Sequence, residues 1–252
     1  MRVLVLLPTY NEIENIDEVL HRTRAALPTA DVLVIDDGSP DGTAARAEEL
    51  AEELGHIEVL HRAAKSGLGS AYRAGFRAGL ELGYDVMIEM DSDLSHDPSV
   101  LPELVAAIEA GADVAIGSRY VAGGTIPDWK FARRAISRIG CTYARVMLGL
   151  SVRDATAGFR AYHRKNLAVL DLDRIRADGY GFQVEMTYLS EINHAKITEV
   201  PICFRDRTLG TSKMSTRIVV EALALVTWWG VRDRVHHVLH PRRHAEFAGV
   251  RH

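Results

Sequence analysis

The sequence has few cysteines and no long apolar run. Cys141 and Cys203 are the only cysteines among its 252 residues and lack the spacing of a metal or redox pair, so no disulfide framework is expected and a reducing compartment is the default. The longest apolar run, 218–231, contains Glu221 and falls short of the roughly 20 residues that span a bilayer. The apolar stretch after Met1 is too short for a signal peptide and lacks a cleavage site. If a membrane matters to this chain, we expect the protein to lie on its surface.

Two common phosphate-binding motifs are also missing. The chain has no P-loop motif and no GxGxxG directly after its first strand-like run. The glycines of GLGSAYRAG (67–75) follow the third such run without the usual acidic partner. An enzyme that uses a dinucleotide is therefore disfavoured. The net charge of -4 and the pI near 6.3 give no support for nucleic acid binding either.

Apolar strand-like runs alternate with helical patterns in the first half of the chain. The strand-like runs are 3–7, 32–35, 57–61, 86–90 and 114–118, and the helical patterns are 13–26, 43–54, 69–82 and 98–110. Alternation of this kind, with continuously apolar strands, predicts an α/β fold: a mainly parallel sheet with helices on both faces.

The second half has a different pattern. A long helix is predicted over 129–150, with one stripe formed by Ile136, Ile139, Tyr143, Met147 and Leu150. The segment 129–152 contains no acid, and its five basic residues are Lys130, Arg133, Arg134, Arg138 and Arg145. This bias favours contact with phosphate or an anionic surface over a merely solvated face. A strand at 159–162, a helix at 182–193, a strand at 197–204 and a helix from about 216 complete the prediction.

Polar residues cluster after the first, second and fourth strand-like runs, as PTYNE (8–12), DDGSPDG (36–42) and DSD (91–93). In an open parallel sheet, ligands bind outside the carboxyl ends of the strands, so we expect the three clusters to form one site. Asp91 and Asp93 would face the same side of a regular strand, where paired carboxylates suit Mg²⁺ or Mn²⁺. A solvated acidic turn is the alternative for an isolated DxD motif, but the two partner clusters favour the metal site.

Longer motifs make the chain resemble a known enzyme family. PTYNE, VIDDGSPDGT, KSGLGSAYRAGF, EMDSDLSHDP and IGSRYVAGG resemble the family 2 glycosyltransferases, which implies the GT-A fold, a Rossmann-like and mainly parallel sheet. In the second half, WKFARRAIS, TAGFRAY, GYGFQVEM and EVPICFRDRTLGTSKMS resemble the dolichol- and polyprenol-phosphate mannosyltransferases of that family. The resemblance runs from residue 3 to about residue 230. Some relatives have Gln after DxDL, where this chain has Ser95.

The resemblance implies roles for the residues at matching positions. It implies that the donor is bound by Pro8, Tyr10, Asn11, Glu12, Ile35, Asp37, Asp91, Ser92, Asp93, Arg119, Arg207 and Lys213. Asp91 and Asp93 would hold the metal, and the catalytic residues would be Asp93, Arg119, Arg207 and Lys213. Arg133 and Ser137, four residues apart on one helical face, would hold the acceptor phosphate.

The resemblance also implies a reaction and a place for it. Mannose would move from GDP-mannose to a polyprenyl (dolichyl-type) phosphate, with inversion at the sugar and with Mg²⁺ or Mn²⁺ as cofactor. The protein would be peripheral at the cytoplasmic face of a membrane, and an integral membrane partner is compatible with this. The alternatives are a UDP-glucose-dependent transfer to the same kind of acceptor and a nucleotide-binding module without catalytic activity.

One catalytic domain is expected over 1–230, with a nucleotide-sugar half at about 1–122 and an acceptor half at about 123–230, followed by a helix end and tail at 231–252.

Two interpretations are open for each of three further residues. His96 either touches the donor or structures its loop, and Glu185 either pairs with a buried base or lines the site. Trp228 either anchors the protein in a membrane interface or packs under a loop, since it lies off the predicted core seam of Ala222, Leu225, Val226 and Trp229.

Overall fold

A computed structural model describes residues 1–206, except 176 and 178, and residues 222–232. Within these residues the strands form one seven-stranded sheet. The strands are β1 (Val3–Thr9), β2 (Asp31–Asp36), β3 (Ile57–His61), β4 (Val86–Glu89), β5 (Val114–Ser118), β6 (Arg160–His163) and β7 (Ile197–Pro201). Their order is β3-β2-β1-β4-β6-β5-β7, and only β6 is antiparallel to its neighbours. The predicted mainly parallel α/β sheet is confirmed.

Helices cover both faces of the sheet. They are α1 (Ile16–Ala26), α2 (Thr43–Leu54), α3 (Leu68–Glu81), α4 (Leu101–Glu109), α5 (Phe131–Leu148), α6 (Arg164–Val169) and α7 (Gly179–Ile192), with a 3-10 turn at Pro98–Val100 and a helical segment at 222–232. Each face has its own apolar core. Buried residues of α1, α2 and α4 belong to one core, and those of α3, α5, α6 and α7 belong to the other.

Alternation along β1 explains this two-sided packing. Leu4 and Leu6 lie in the core that contains Phe76 of α3, whereas Val5 and Leu7 lie in the core that contains Leu20 of α1. Successive side chains of a strand point to opposite faces, so a strand that is apolar at every position needs cover on both sides. Short apolar strands of this kind therefore lead to the three-layer arrangement.

The first-half elements lie close to their predicted positions, with three local differences. Helix α1 begins at Ile16 rather than 13, because the backbone N–H groups of Asn15 and Ile16 both donate to the carbonyl of Glu12, at 2.9 Å each, in a preceding turn. Strand β1 continues through Pro8 to Thr9, where it still pairs with β2. The predicted helix 98–110 is divided into the 3-10 turn and α4.

The second half contains two features that sequence periodicity did not predict. Helix α6 was not predicted, and the strand predicted at 159–162 runs antiparallel between β4 and β5 as β6. Arg160 lies in this strand and is fully buried. Its guanidinium donates to the carbonyls of Ala155, Ala157 and Gln183 at 2.6–3.0 Å, which replaces the water lost on burial.

The predicted stripe on α5 does not face the core as a unit. Ile136 and Ile139 are 65% and 67% exposed, while Cys141 and Ala144 are buried. Tyr143, Met147 and Leu148 also pack against the core. The free edge of α5 is therefore formed by Ile136 and Ile139. No helix in the described ranges is long and apolar enough to cross a membrane.

Candidate active site

The carboxyl ends of β1, β2 and β4 meet at one edge of the sheet, because β1 lies between the other two strands. The hydroxyl of Thr9 donates to the carboxylate of Asp36 at 3.1 Å, which joins the ends of β1 and β2. The hydroxyl of Ser92 donates to the carbonyl of Pro8 at 3.0 Å, which joins the loop after β4 to β1. The predicted convergence of the three polar clusters is confirmed.

Asp36, the last residue of β2, has a structural role. Asp36 is buried, and its carboxylate accepts hydrogen bonds from the backbone N–H and the hydroxyl of Ser39, at 2.8 and 2.5 Å. The same hydroxyl accepts from the backbone N–H of Asn11 at 3.0 Å. Asn11 has φ 55°, a left-handed conformation that asparagine tolerates better than most residues. Asp36 therefore shapes the turn after β2 that carries Asp37 and, through Ser39, joins it to Asn11 in the loop after β1.

Asp37 forms an ion pair that the sequence did not predict. Arg62, just beyond β3, donates to its carboxylate at 2.5 Å and to the hydroxyl of Ser70 at 2.7 Å. Nearby, the ammonium group of Lys65 lies 4.4 Å from the ring centroid of Tyr10. Two basic residues after β3 thus belong to the part of the site where nucleotide binding is predicted.

Two other predicted donor residues have structural contacts in this edge. Glu12 accepts from the side-chain amide of Asn15 at 2.9 Å, and its backbone N–H donates to the hydroxyl of Thr43 at 3.0 Å. Ile35 was predicted to line the nucleotide pocket, but its side chain is fully buried in the core. A Cβ at Gly75 would lie 2.7 Å from its Cδ1 atom, so α3 packs directly on Ile35 and keeps it from an open surface.

Asp91 and Asp93 lie in a loop and not in a strand. Strand β4 ends at Glu89, so the expected strand alternation does not orient the two carboxylates. The side chain of Asp91 is 35% exposed and accepts from the hydroxyl of Tyr72 at 3.3 Å. Asp93 is buried and accepts from the backbone N–H and the hydroxyl of Ser95, at 3.0 and 2.6 Å. The serine that replaces Gln in this motif thus holds the second aspartate in place.

His96 structures this loop. It is buried, its ring stacks on Phe159 at 5.1 Å between centroids, and its Nδ1 atom accepts from the backbone N–H of Asp91 at 3.2 Å. Burial lowers the pKa of His96 to about 4, so the imidazole is neutral near neutral pH. A neutral ring adds no positive charge beside the two aspartates. The loop-structuring reading of His96 is the one that the contacts show.

A buried carboxyl lies beneath the loop 90–97 that carries Asp91 and Asp93, called the aspartate loop below. Glu89 is fully buried and accepts from the side-chain amide of Gln183 at 2.9 Å. Burial raises the pKa of Glu89 to about 8, which favours its neutral form near neutral pH. Gln183 also approaches the site at Gly158, where an added Cβ would lie 3.8 Å from its amide nitrogen and from a carboxylate oxygen of Asp91. The motif GYGFQVEM therefore supplies Gln183 to the site, while Glu185 accepts from the backbone N–H of Ala177 at 3.3 Å.

Arg119 follows β5 in a buried ion pair with Asp154. Two guanidinium nitrogens and the backbone N–H of Arg119 donate to that carboxylate at 2.6–2.9 Å. Burial disfavours both charges, but the pairing outweighs it: the pKa of Asp154 is lowered and that of Arg119 is raised. Asp154 was not singled out from the sequence because nothing in its local spacing marks a partner 35 residues away. The pair fixes the guanidinium that was predicted to contact the donor.

The segment before Arg207 joins the aspartate loop to α5. Phe204 contacts the ring of His96 on one side and that of Trp129 on the other, both at 5.5 Å between centroids. Asp206 accepts from the indole N–H of Trp129 at 2.9 Å and from Arg133 at 2.8 and 2.9 Å. Arg207 and Lys213 themselves lie outside the described residues. The segment 204–206 thus lies between the aspartate loop and the predicted acceptor helix.

Arg133 and Ser137 line an apolar groove between α5 and the helical segment 222–232. The groove encloses about 130 Å³, and its other walls include Ile136, Tyr143 and Val226. The hydroxyl of Ser137 accepts from that of Tyr120 at 2.7 Å. A polar pair beside an apolar groove suits a ligand with a charged head and a hydrocarbon chain.

The aspartate loop has the right donor chemistry for a hard divalent cation. Carboxylate oxygens are the ligands that Mg²⁺ and Mn²⁺ prefer, and the adjacent His96 is neutral. Among the described residues, no group of three His, Cys, Asp or Glu side chains surrounds a common point. A cation held by Asp91 and Asp93 would therefore complete its coordination with substrate oxygens and water, as Mg²⁺ commonly does.

Comparison with known proteins identifies the family. Residues 4–170 match the family described as "Glycosyl transferase family 2". The chain belongs to this family. A polyprenol monophosphomannose synthase of Mycolicibacterium smegmatis is 48% identical to it over 93% of this chain and 89% of the relative. An undecaprenyl-phosphate mannosyltransferase of Micrococcus luteus is 53% identical over 93% of this chain and 96% of the relative.

Structural comparison agrees on the fold. The glucosyl-3-phosphoglycerate synthase of Mycobacterium tuberculosis, solved with Mn²⁺ and UDP-glucose, resembles this glycosyltransferase with a TM-score of 0.64 at 20% identity, over 89% of this chain and 77% of the other. The predicted GT-A fold is confirmed. In this family 2 glycosyltransferase the carboxyl edge of β1, β2 and β4 is the candidate active site.

Proposed function

We propose that this glycosyltransferase transfers mannose from GDP-mannose to a polyprenyl phosphate at the cytoplasmic face of a membrane, with inversion at the anomeric carbon. One observation carries the proposal: Arg133 and Ser137 line an apolar groove, and Phe204 and Asp206 lie between this pair and the aspartate loop. A donor site and an amphiphilic acceptor site are thus adjacent. The similarity to a polyprenol monophosphomannose synthase and to an undecaprenyl-phosphate mannosyltransferase supports mannose as the sugar and a polyprenyl phosphate as the acceptor.

The acceptor is assigned to the groove of Arg133 and Ser137. Arg133 would bind the phosphate in place of, or together with, its present partner Asp206, and Ser137 would donate or accept a hydrogen bond beside it. The apolar walls would take the first isoprene units. A phosphate monoester is already anionic at neutral pH, so its oxygen can attack the sugar without a strong general base.

The donor is assigned to the edge formed by the three polar clusters. Tyr10 and Asp37, with Arg62 and Lys65 beside them, would hold the nucleotide, and the diphosphate would face Asp91 and Asp93. Mg²⁺ or Mn²⁺ bound there would neutralise the charge that develops on the departing nucleoside diphosphate. Arg119, held by Asp154, would lie between donor and acceptor. Attack from the side opposite the diphosphate would invert the anomeric centre.

Membrane contact is assigned to the free edge of α5 and to Trp228. Phe131, Ile136 and Ile139 are 87%, 65% and 67% exposed, and Trp228 is 58% exposed with the guanidinium of Arg232 at 5.0 Å from its ring. Aromatic and aliphatic side chains with a nearby arginine are typical of an interfacial anchor. The core seam predicted for the segment 222–232 is confirmed at Val226 and Trp229, which are buried, so Trp228 is available to a lipid surface.

Donor binding tests the site assignment. Calorimetry with GDP-mannose and Mn²⁺ should show that Asp91→Asn and Asp93→Asn each lose at least about tenfold in affinity, because each removes a charged metal ligand. Asp171→Asn, which changes an exposed acid that pairs with Arg174, is the control and should bind as the wild type does. Equal affinity in all four proteins would refute the metal site. Preference for UDP-glucose would support the glucosyl alternative.

A further inference from the structure

A second cavity lies on the opposite side of Tyr120 from the acceptor groove. It encloses about 400 Å³, between the loop 124–127 and the edge of α5 that carries Arg134 and Arg138, with Arg119 at one wall. A Cβ at Gly124 would lie 2.7 Å from the carbonyl oxygen of Ser118, so the loop can approach the end of β5 this closely only with glycine there. Gly124 therefore allows the close approach of the loop that forms one wall of the cavity.

Two of the three arginines in the cavity walls carry positive charge that no acid of the described residues neutralises. Its lining includes three arginines and no acidic residue. Arg119 is neutralised from beneath by Asp154, but no carboxylate in the described part of the chain lies within ion-pair distance of Arg134 or Arg138. Arg134 is oriented by the carbonyl of Ile126, to which it donates at 2.7 Å. Arg138 lies 5.4 Å from the ring centroid of Tyr120.

These two arginines line the same cavity. They are four residues apart on α5, and among the described residues their contacts are with uncharged groups: the carbonyl of Ile126 for Arg134 and the ring of Tyr120 for Arg138. The planar donors of a guanidinium group match the oxygens of phosphate and of carboxylate, and two such groups at one cavity suit phosphate, which can carry two negative charges. The apolar wall of Ile126 and Pro127 suits an organic substituent, which inorganic phosphate lacks.

We infer that the cavity is a second anion site, which binds a phosphate ester through Arg134 and Arg138. It is separate from the proposed acceptor site, because Arg133 and Ser137 line the other groove. Tyr120 lies between the two sites, with its hydroxyl hydrogen-bonded to Ser137 and its ring beside Arg138. The phosphate ester is either a soluble molecule or the headgroup of an anionic phospholipid. The exposed edge of the same helix gives a lipid headgroup access to the cavity, and the experiment below separates the two sources.

The test uses two variants of equal charge change on α5 and its N-terminal flank. Arg134→Gln/Arg138→Gln removes the cavity arginines, and Lys130→Gln/Arg145→Gln removes two cations that lie outside the cavity. Binding is measured with glycerol 3-phosphate by calorimetry, and with phosphatidylcholine vesicles that contain or lack phosphatidylglycerol by flotation. Melting temperatures are recorded for every protein. Arg138→Gln alone is a third variant, which leaves the contact of Arg134 with the loop intact and should also bind the phosphate ester more weakly than the wild type.

The cavity variant should lose about tenfold or more in affinity for a phosphate ester, because two charge-assisted hydrogen-bond donors are removed. The affinity of the control variant for glycerol 3-phosphate should fall by less than about twofold. Its flotation with anionic vesicles should fall only by the amount that the general loss of surface charge causes. Loss confined to glycerol 3-phosphate identifies a soluble ligand, and loss confined to phosphatidylglycerol vesicles identifies a headgroup. Equal losses in the two variants, no loss in either, or no binding of either ligand by the wild type would overturn the inference.

Discussion

The Arg119–Asp154 pair shows how a single charged residue is positioned beside the site. Both side chains are almost fully buried, at 4% and 0% exposure, and three hydrogen bonds join them. A buried charge without its partner is strongly destabilising, so the two residues depend on each other. The sequence marks Arg119 as a candidate but gives no sign of Asp154, because pairing over such a separation is decided by the fold.

Asp154→Ala should therefore lower the free energy of unfolding by about 3–5 kcal/mol, as expected when one partner of a buried ion pair is removed. Urea denaturation measures the effect. Asp173→Ala is the matched control, because it breaks the exposed pair with Arg77 and should cost less than about 1 kcal/mol. Similar losses in the two variants would show that the Arg119–Asp154 pair is not buried as described.

Arg133 is assigned to the acceptor-binding site in the proposed function. Arg133→Gln should raise the KM for polyprenyl phosphate by roughly 10–100-fold and leave the KM for GDP-mannose nearly unchanged, since a charge-assisted contact of about 1.5–3 kcal/mol is lost on one substrate only. Steady-state kinetics with each substrate varied in turn measures both constants. Arg145→Gln on the same helix is the control. Equal effects on the two substrates would remove Arg133 from the acceptor site.

At the scale of elements, helix α5 has three faces of different character. Cys141 and Ala144 pack inward, arginines line one edge, and aliphatic residues are exposed on the other. Three members of the stripe predicted from periodicity, Tyr143, Met147 and Leu150, pack on the core. Ile136 and Ile139 are exposed, because periodicity reports an apolar face and cannot tell what covers it. An exposed apolar edge of this kind is a sign of a binding surface, here assigned to a membrane.

Ile136→Asp/Ile139→Asp should reduce flotation with neutral phosphatidylcholine vesicles and leave the melting temperature unchanged, because both side chains are exposed and charged residues partition poorly into a bilayer interface. Trp228→Ser should act in the same direction. Val169→Asp on α6 is the control, since Val169 is 60% exposed but lies outside the proposed surface. If the control loses as much flotation as the α5 variant, the surface is not specific.

For the molecule as a whole, the sequence predicts the layers better than the connections between them. Continuous apolar strands such as β1 and β5 predict a covered parallel sheet directly, and the polar clusters at their ends predict the site. The antiparallel insertion of β6 and the roles of Arg62, Tyr72 and Gln183 were missed, because each depends on contacts between distant segments. The sequence leaves two interpretations of His96 open, and the hydrogen bond from the backbone N–H of Asp91 to its ring favours the loop-structuring one.

The central claim is that one chain joins a sugar nucleotide to a lipid phosphate. The direct measurement incubates the full-length protein with radiolabelled GDP-mannose, polyprenyl phosphate and Mg²⁺ or Mn²⁺, and then counts the label in the organic phase. The account predicts lipid-linked mannose that requires both the acceptor and the metal and that is abolished in Asp91→Asn and Asp93→Asn. Label that reaches the lipid only from UDP-glucose would contradict the choice of donor. Absence of any lipid-linked sugar from either donor, with a folded protein, would contradict the account itself.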